Sequence, residues 1–371
     1  MSSATPAGQG VAAPFRIIDT GVREGRANIA FDAALIELRE ANAVPDTIRF
    51  MRFPPTALIG RHQDLSREIN LAYCAQDGVG TVRRITGGGA IYLDEGQLGW
   101  ELVFHRASLG IAALPDLARE ICNAAAAGLS ALGVNAKFRP RNDIEVDGRK
   151  ISGTGGFFDG DVLIYQGTVL VDMNAGQMVR ALNVPDQKIA KHNLDSAAQR
   201  VVTLKELLGD NLPDLETIQA ALVNAFTQHF GISAAPGAVT EQEEALARQY
   251  FDDEIGTDEF VAEIDDPGAD RSVHSGSHTG AGGTISAFVK LEGPTRQILQ
   301  RVLLTGDFFV TPPRVVFDLE AHLQGVRVTE LAERIRDFFD ATDIGMLSVT
   351  ADDFLAAITA AIDAAPVSVD G

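Results

Sequence analysis

Apolar and polar residues follow each other along this chain in patterns typical of both helices and strands. Between residues 27 and 40, apolar side chains recur at intervals of three and four, which predicts an amphipathic helix. Further helices are predicted at 68–74, 114–132, 175–182, 204–207, 214–230 and 241–250. Strands are predicted at 15–19, 46–53, 56–60, 79–85, 90–92, 98–104, 144–146 and 162–171. Because adjacent strands mix with helices without regular βαβ alternation, we predict an α/β (α+β) domain with a mixed sheet.

Composition changes abruptly in the last third of the chain. Residues 265–283 hold Asp, Pro, Gly, Ser, His and Thr with almost nothing apolar, which is typical of a linker. After it, strands are predicted at 284–289, 297–304 and 315–319, then helices at 329–339 and 352–362. We therefore predict, in chain order, a disordered tail at 1–14, a large domain at 15–264, a linker at 265–283 and a small α+β domain at 284–371.

Charge and hydropathy exclude some classes of function. The 371 residues carry a formal net charge of −20, with 46% hydrophobic and 22% charged residues. This acidity argues against a general binder of nucleic acid or anionic membranes, because phosphate-tracking surfaces need clustered cations. No apolar run approaches the roughly 18 residues that suggest a membrane span. The first residues lack the basic and apolar regions of a secretory signal, so we expect a cytoplasmic protein.

Two segments, residues 83–90 and 142–153, carry the candidate chemistry. The first contains three consecutive glycines, Gly87, Gly88 and Gly89, which let the backbone approach a bulky ligand and leave amides free to face an anion. The second predicts a hairpin with an Asp-Gly turn that presents Lys150. The chain has only 6 lysines against 25 arginines, so a lysine here is not filler positive charge. Together the segments indicate a site where the charge of an anionic small molecule is neutralised during reaction.

Other common chemistries find less support. Cys74 and Cys122 have neither disulfide nor metal-ligand spacing, and we expect both to be buried apolar residues. His274 and His278 fall in the predicted linker, where we expect them to be solvated. The glycine loop precedes a strand and lacks the GxGxxG spacing of dinucleotide sites, and no GxxxxGK[ST] loop is present.

Taken together, the two segments resemble the lipoate–protein ligase A family, whose fold group includes biotin protein ligases and octanoyl transferases. Residues 83–96 resemble its Arg-Arg-x-(Ser/Thr)-Gly-Gly-Gly-Ala signature, and residues 142–153 resemble its catalytic-lysine segment. Weaker matches follow in order at 27–32, 56–63, 200–204, 282–285 and 305–309. The resemblance implies a mixed-sheet biotin/lipoyl ligase-like catalytic domain followed by a smaller α+β accessory domain.

The resemblance implies a two-step ligase that uses ATP and magnesium. Lipoate and ATP would give lipoyl-adenylate, and a lysine of an acceptor lipoyl domain would then take the lipoyl group. The implied acceptor is a 2-oxoacid dehydrogenase E2 or a glycine-cleavage H-type protein. Lys150 would be catalytic, bridging the acid and the α-phosphate, and Asp143 would contact adenosine or magnesium. The other implied substrate- and ATP-binding residues are Arg84, which would meet an anionic group, Thr86, Gly87, Gly88, Gly89, Ala90, Asn142, Ser152 and Gly153.

The chain also departs from the family pattern. Leu93, Gln97 and Gly99 stand where the family usually has a histidine and two asparagines. Gln166-Gly167 stands where His-Gly is common, and we expect these changes to alter the acyl pocket or the choice of acceptor. Lipoate or octanoate preference and oligomeric state stay open.

Two alternatives remain. An octanoyl transferase of the same fold needs a thiolate near the lysine. Neither cysteine lies in or beside the lysine segment, which disfavours that alternative. The other alternative is a non-catalytic family member that binds an adenylate or an acceptor protein.

Overall fold

The computed structural model of the protein describes residues 14–111, 113–140, 142–183, 200–293, 295–342 and 344–365. The strands of the larger unit are β1 (Phe15–Val22), β2 (Thr47–Arg52), β3 (Thr56–Ile59), β4 (Gly80–Arg83), β5 (Ile91–Leu93), β6 (Gln97–His105), β7 (Lys137–Arg139), β8 (Asp143–Val146), β9 (Arg149–Asp159), β10 (Val162–Leu170) and β11 (Ala234–Pro236). Its helices are α1 (Gly25–Glu40), α2 (Leu65–Glu68), α3 (Leu71–Asp77), α4 (Leu114–Ala131), α5 (Ala175–Ala181), α6 (Leu204–Leu208), α7 (Leu215–Phe230), α8 (Glu241–Tyr250) and α9 (Asp258–Val261). The predicted tail at 1–14 lies, except for Pro14, outside the described residues.

A mixed eight-stranded sheet forms the centre of the larger unit, as the pattern predicted. Its strand order is β11-β1-β2-β6-β10-β9-β8-β7. Strand β1 pairs in parallel with β2 and β11. Every other neighbouring pair in this strand order, from β2-β6 to β8-β7, is antiparallel. A second sheet of order β4-β3-β5 lies beside it and carries the glycine loop between β4 and β5.

The eight-stranded sheet has a hydrophobic core on each face. Strand β10 shows this, because its residues alternate between the two cores. Leu163 and Tyr165 face the core formed with α4 and α7, while Val162 and Ile164 face the core formed with α1 and α8. This is the period of two that a strand imposes on its side chains. In the first core, the Trp100 and Phe226 rings pack with centroids 5.3 Å apart. A strand buried on both faces gives the candidate site a rigid floor.

A smaller α+β unit follows. Its strands are β12 (Val273–Gly280), β13 (Gly283–Glu292), β14 (Ile298–Gly306), β15 (Val310–Thr311) and β16 (Gly345–Met346). Its helices are α10 (Val315–Leu323), α11 (Leu331–Ala341) and α12 (Ala351–Asp363). Strands β12, β13 and β14 form an antiparallel sheet. The unit has a core of its own, in which Phe308 and Phe354 pack edge to face.

The prediction of a linker at 265–283 is wrong for residues 273–280, which form strand β12. This strand pairs with β13 along its whole length, and its side chains alternate between half-buried and exposed over most of it. A Cβ at Gly276 would lie 2.2 Å from the backbone nitrogen of Ala361, so small residues allow α12 to pack closely. His278 is not simply solvated either, because its Nε2 lies 3.0 Å from Asp353 Oδ1. The polar composition therefore reflects an edge strand beneath a helix.

The predicted strand at 315–319 is also wrong, because these residues open helix α10. Val315, Val316, Leu319 and Leu323 are buried on one face, which is helical spacing. A window of five residues, four of them apolar, is too short to separate the helical period from the strand period. No helix of the described residues is both long and apolar enough to cross a membrane.

Candidate active site

One wall of the site, which we call the loop wall, comprises residues 83–90. Arg83 is fully buried and donates hydrogen bonds to backbone carbonyls that include those of Gln63, Val261 and Ile264, at 2.7 to 2.9 Å. It thereby ties the loop wall to the segment that leads towards the smaller unit. Burial lowers the pKa of Arg83 to about 10, which leaves it charged at neutral pH.

Arg84 is buried and stabilises the loop wall through hydrogen bonds to its backbone. Its guanidinium donates to the carbonyls of Leu58, Gly87 and Gly89 at 3.2, 3.1 and 2.9 Å, and to Thr86 Oγ1 at 3.3 Å. Burial lowers its pKa to about 10. Because its donors are directed to the loop itself, this geometry favours a supporting role over the anion contact that the resemblance implies.

The glycines of the loop wall are required by close approaches on two sides. Gly88 has φ of +93°, which disfavours any other residue. A Cβ at Gly60 would lie 2.0 Å from the Gly88 carbonyl oxygen, and a Cβ at Gly87 would lie 2.4 Å from the Phe308 carbonyl oxygen. The Gly88 amide donates to that same Phe308 oxygen at 3.1 Å. The expectation of amides free to face an anion is therefore wrong for Gly88 in this conformation.

The opposite wall, which we call the lysine wall, comprises residues 142–154. Asp147 and Gly148 both have positive φ, 50° and 78°, as the predicted hairpin turn demands. The Lys150 backbone is held on its far side, donating to the Arg200 carbonyl at 2.8 Å and accepting from the Val202 amide at 2.9 Å. The segment that begins at Arg200 thus braces the lysine strand.

The Lys150 side chain is partly exposed and has one ionic partner among the residues that the structure describes. Its Nζ lies 2.8 Å from Asp143 Oδ1, and 36% of the side chain is accessible. A Cβ at Gly153 would lie 2.6 Å from this Nζ, so Gly153 gives the ammonium room to lie along β9. Asn142 sits beside them and donates to the Thr154 carbonyl at 2.5 Å.

Both walls border one cavity of about 320 Å³. All the implied site residues line it except Asp143, which reaches Lys150, and Ser152, which is fully buried. The Ser152 hydroxyl has no hydrogen-bond partner within the described chain. Motif reasoning missed most of the apolar lining, which includes Met51, Phe53, Leu58, Met173, Met178 and, from the smaller unit, Phe309.

The departures from the family pattern also line this cavity. Leu93 gives it an apolar surface, and Gln97 donates to the Tyr92 carbonyl at 3.0 Å. Gly99 and Gly167 leave no space for a side chain, because a Cβ at either would lie within 3 Å of Met51 or Trp100. These positions therefore shape the cavity and leave the two walls intact.

A buried ionic cluster behind the cavity was not predicted. Arg49, Asp32 and Glu101 are fully buried, with Arg49 Nη1 2.6 Å from Asp32 and 2.9 Å from Glu101. Gln166, which lines the cavity, donates from Nε2 to both carboxylates, at 2.6 and 2.7 Å. Burial, together with the charge of Glu101, holds the pKa of Asp32 well above its usual range. The cluster fixes Gln166, and its members were missed because they come from four separate elements.

The two thiols are sealed from the cavity. Cys122 Sγ lies 3.3 Å from Thr154 Oγ1 and 3.4 Å from the Tyr165 hydroxyl, so it is closer to the lysine wall than the sequence suggests. It is nevertheless fully buried, Cys74 is 1% exposed, and neither lines the cavity. Burial raises the pKa of both thiols. The expectation that both cysteines are buried is confirmed.

Comparison with known proteins places this fold and site in one family. The family model described as the lipoyl protein ligase A/B catalytic domain matches residues 24–227, more than half of the 371-residue chain. The chain therefore belongs to this family, which confirms the resemblance.

Its relatives include both ligases and transferases. Octanoyltransferase LipM of Moorella thermoacetica is 27% identical over 256 residues, covering 63% of this chain and 93% of that protein. Lipoate-protein ligase A subunit 1 of Thermoplasma acidophilum is 26% identical over 245 residues, covering 63% of this chain and 91% of that protein. The chain is thus an enzyme of the lipoate ligase and octanoyltransferase family.

A solved structure confirms the fold of both units. P. falciparum LipL1, crystallised in complex with lipoate, superposes with a TM-score of 0.68, covering 89% of this chain and 95% of that one. At 18% identity this likeness shows the fold alone. The predicted mixed-sheet ligase-like domain with a smaller C-terminal unit is confirmed.

Proposed function

We propose that the protein is an ATP-dependent lipoate–protein ligase acting in the cytoplasm. The observation that carries the proposal is that the partly exposed ammonium of Lys150 and the triglycine loop border the same cavity, while both thiols are sealed from it. The apolar lining, with methionines that adapt to irregular shapes, suits a flexible acyl chain that ends in a dithiolane.

The first step joins lipoate to AMP. A carboxylate oxygen of lipoate attacks the α-phosphorus of ATP, an O–P bond forms, and the bond to the β-phosphate breaks to release pyrophosphate. The two reactants repel each other, so the site must place positive charge between them. Lys150 is suited to this, because its ammonium is a compact charge on a flexible stem and Gly153 leaves it room to move.

Magnesium would support this step by neutralising phosphate charge. Within the described residues, no group of three or more His, Cys, Asp or Glu side chains could hold a metal ion. Mg²⁺ in nucleotide sites is commonly held by one or two carboxylates together with substrate phosphates. Asp143, whose carboxylate lies 2.8 Å from the ammonium of the cavity-lining Lys150, fits that requirement.

The second step transfers the lipoyl group to a lysine of an acceptor lipoyl domain. The acceptor ε-amine attacks the acyl carbon, a C–N bond forms, the C–O bond to AMP breaks, and the amine loses a proton. A lipoyl domain of a 2-oxoacid dehydrogenase E2 or an H-type protein is the partner we propose. With a net charge of −20, the enzyme would need a local positive patch to receive an acidic partner.

The transferase alternative draws support from the similarity to an octanoyltransferase. A thioester mechanism requires a thiolate that can reach the acyl donor. Cys122 is hydrogen-bonded to Thr154 and Tyr165, its pKa is raised by burial, and no part of it lines the cavity. This arrangement favours the ligase.

The test is lipoate-dependent exchange between ATP and labelled pyrophosphate, followed by intact-mass analysis of acceptor lipoyl domains incubated with ATP and lipoate or octanoate. A ligase gives exchange only when the free acid is present, and adds one acyl group to the acceptor. Acyl transfer from an acyl-carrier thioester without exchange would establish the transferase. Binding without either reaction would establish the non-catalytic alternative.

A further inference from the structure

Two consecutive phenylalanines of the smaller unit, Phe308 and Phe309, lie against the loop wall. Their backbone joins β14 to β15, and Phe309 lines the same cavity as Lys150. The segment therefore occupies surface that the proposed reaction needs for substrates.

The Phe308 carbonyl oxygen of this segment occupies the position in which a substrate anion would accept a hydrogen bond from the glycine loop. The Phe308 carbonyl oxygen accepts a hydrogen bond from the Gly88 amide at 3.1 Å and lies 2.4 Å from where a Cβ of Gly87 would be. A substrate oxygen that sought the same amide would have to displace this carbonyl. An amide already paired with a backbone oxygen is not available for another acceptor.

The Phe309 ring lies between the loop wall and strand β9, just beyond the end of the lysine wall. A Cβ at Gly88 would lie 2.5 Å from the ring, and a Cβ at Gly155 would lie 2.4 Å from it. Gly153 and Gly155 are two residues apart on β9 and so face the same side, roughly 7 Å apart. Lys150 Nζ lies over Gly153, so the ring stands on the same side of β9 as the ammonium, two residues further along the strand.

The segment is held firmly on both sides. The Phe308 side chain is fully buried, packing against Phe354 with ring centroids 5.3 Å apart and against His62 at 5.4 Å. The Gly306 amide donates to the His62 carbonyl at 3.0 Å. Thr311 Oγ1 both accepts from the Phe158 amide and donates to its carbonyl, each at 2.7 Å.

We propose that the Phe308–Phe309 segment is an internal plug, and that it competes with the nucleotide for the triglycine loop. This inference rests on the proposed function, since it takes ATP as the ligand displaced. With the plug in place, the Phe309 ring bounds the cavity near Lys150, and the Gly88 amide is already hydrogen-bonded to the Phe308 carbonyl. ATP binding requires the ring and the carbonyl to withdraw, so the apparent affinity for ATP is reduced by the fraction of molecules that are plugged.

The test is calorimetric titration of the full chain with MgATP. Phe309→Ala removes the ring without touching the core of the smaller unit, and we expect ATP to bind about three- to tenfold more tightly. Thr311→Val removes the two hydrogen bonds to Phe158 outside the cavity, and we expect a smaller change of the same sign. Phe338→Ala is the matched control, because this half-buried ring belongs to the same unit, packs on its core and does not line the cavity.

Hydrogen exchange supplies a readout that does not depend on affinity. In the wild type, ATP should increase exchange over 305–311, and Phe309→Ala should increase exchange at 84–90 without any ligand. Unchanged or weaker ATP binding in folded Phe309→Ala, or segment 305–311 protected equally with and without bound ATP, would overturn the inference alone. A wild-type chain that binds neither ATP nor lipoate would overturn the proposed function as well.

Discussion

The loop wall and the lysine wall face each other across one cavity but differ in how their positive charges are used. Arg83 and Arg84 of the loop wall are buried, and their guanidinium groups donate hydrogen bonds to backbone carbonyls such as those of Ile264 and Gly89. Lys150 of the lysine wall is partly exposed, and its ammonium lies against the carboxylate of Asp143. Positive side chains that border one site can therefore be structural on one wall and chemical on the other. Charge alone does not identify the catalytic group.

The sharpest test of this contrast is Lys150→Ala. We expect adenylate formation to fall roughly 10²- to 10³-fold, because a charge that stabilises the transition state is lost. The fold should be unaffected, since the strand is held through the Lys150 backbone. Pyrophosphate exchange and thermal unfolding measure the two effects. Lys205→Ala, which removes an exposed lysine paired with Asp172, is the control, and near-normal exchange in Lys150→Ala would break the contrast.

Arg84→Lys should give the opposite combination, a loss of stability. A lysine cannot reach the carbonyls of Leu58, Gly87 and Gly89 together, so buried acceptors are left unpaired. We expect the free energy of unfolding to fall by about 3 kcal/mol. Urea unfolding monitored by circular dichroism measures it. An unchanged unfolding free energy would mean that Arg84 is not a support and would return it to the substrate-binding set.

Acidification should affect the loop wall through His62. This ring is buried against Phe308 and Phe317, and burial, with Arg61 and Arg83 nearby, lowers its pKa to about 3. Between its ordinary pKa near 6.5 and about 3, the unfolded chain binds a proton that the folded chain does not, so stability falls as pH falls.

We therefore expect acidification from pH 6.5 to 5 to cost the wild type about 2 kcal/mol more than it costs His62→Leu. Glu68 acts in the opposite direction, because burial raises its pKa to about 7 and its contribution is lost as pH rises from about 4.5 towards 7. Because Glu68 is present in both the wild type and His62→Leu, its contribution to the pH dependence cancels when the two proteins are compared. Equal pH slopes in urea unfolding would show that His62 is not buried in solution.

The smallest effect is expected for Asp143→Asn on the lysine wall. Losing the carboxylate beside Lys150 should raise KM for MgATP about tenfold, with little change in stability because the pair is partly exposed. Glu206→Gln, which breaks the surface pair with Arg149 2.6 Å away, is the control. Equal KM values for the two variants would remove Asp143 from the nucleotide site.

Local patterns predicted much of this architecture and the pairing of its two motifs. Helix α1, strand β10 and the Asp147-Gly148 turn each follow from residues close in sequence. Strand β12 was missed because its polar sequence makes sense only beneath α12, and α10 because five residues cannot reveal a helical period.

The remaining parts of the site depend on contacts between residues far apart in the chain. The Phe309 ring meets Gly88 and Gly155 only after two units have packed together. The Arg49 cluster likewise joins residues that no local pattern links. Such contacts have no signature in a single sequence, whereas a glycine run or a tight turn does.

The attachment of Gln166 to Asp32 and Glu101 has a consequence for anyone who wishes to redesign the pocket for a different acid. Its side-chain amide donates a hydrogen bond to each of two buried carboxylates. A smaller apolar replacement would widen the cavity and would also remove one hydrogen-bond donor from each carboxylate. A successful redesign would have to neutralise one of those acids in the same variant. Selectivity and foldability are therefore joined at this position and cannot be engineered one at a time.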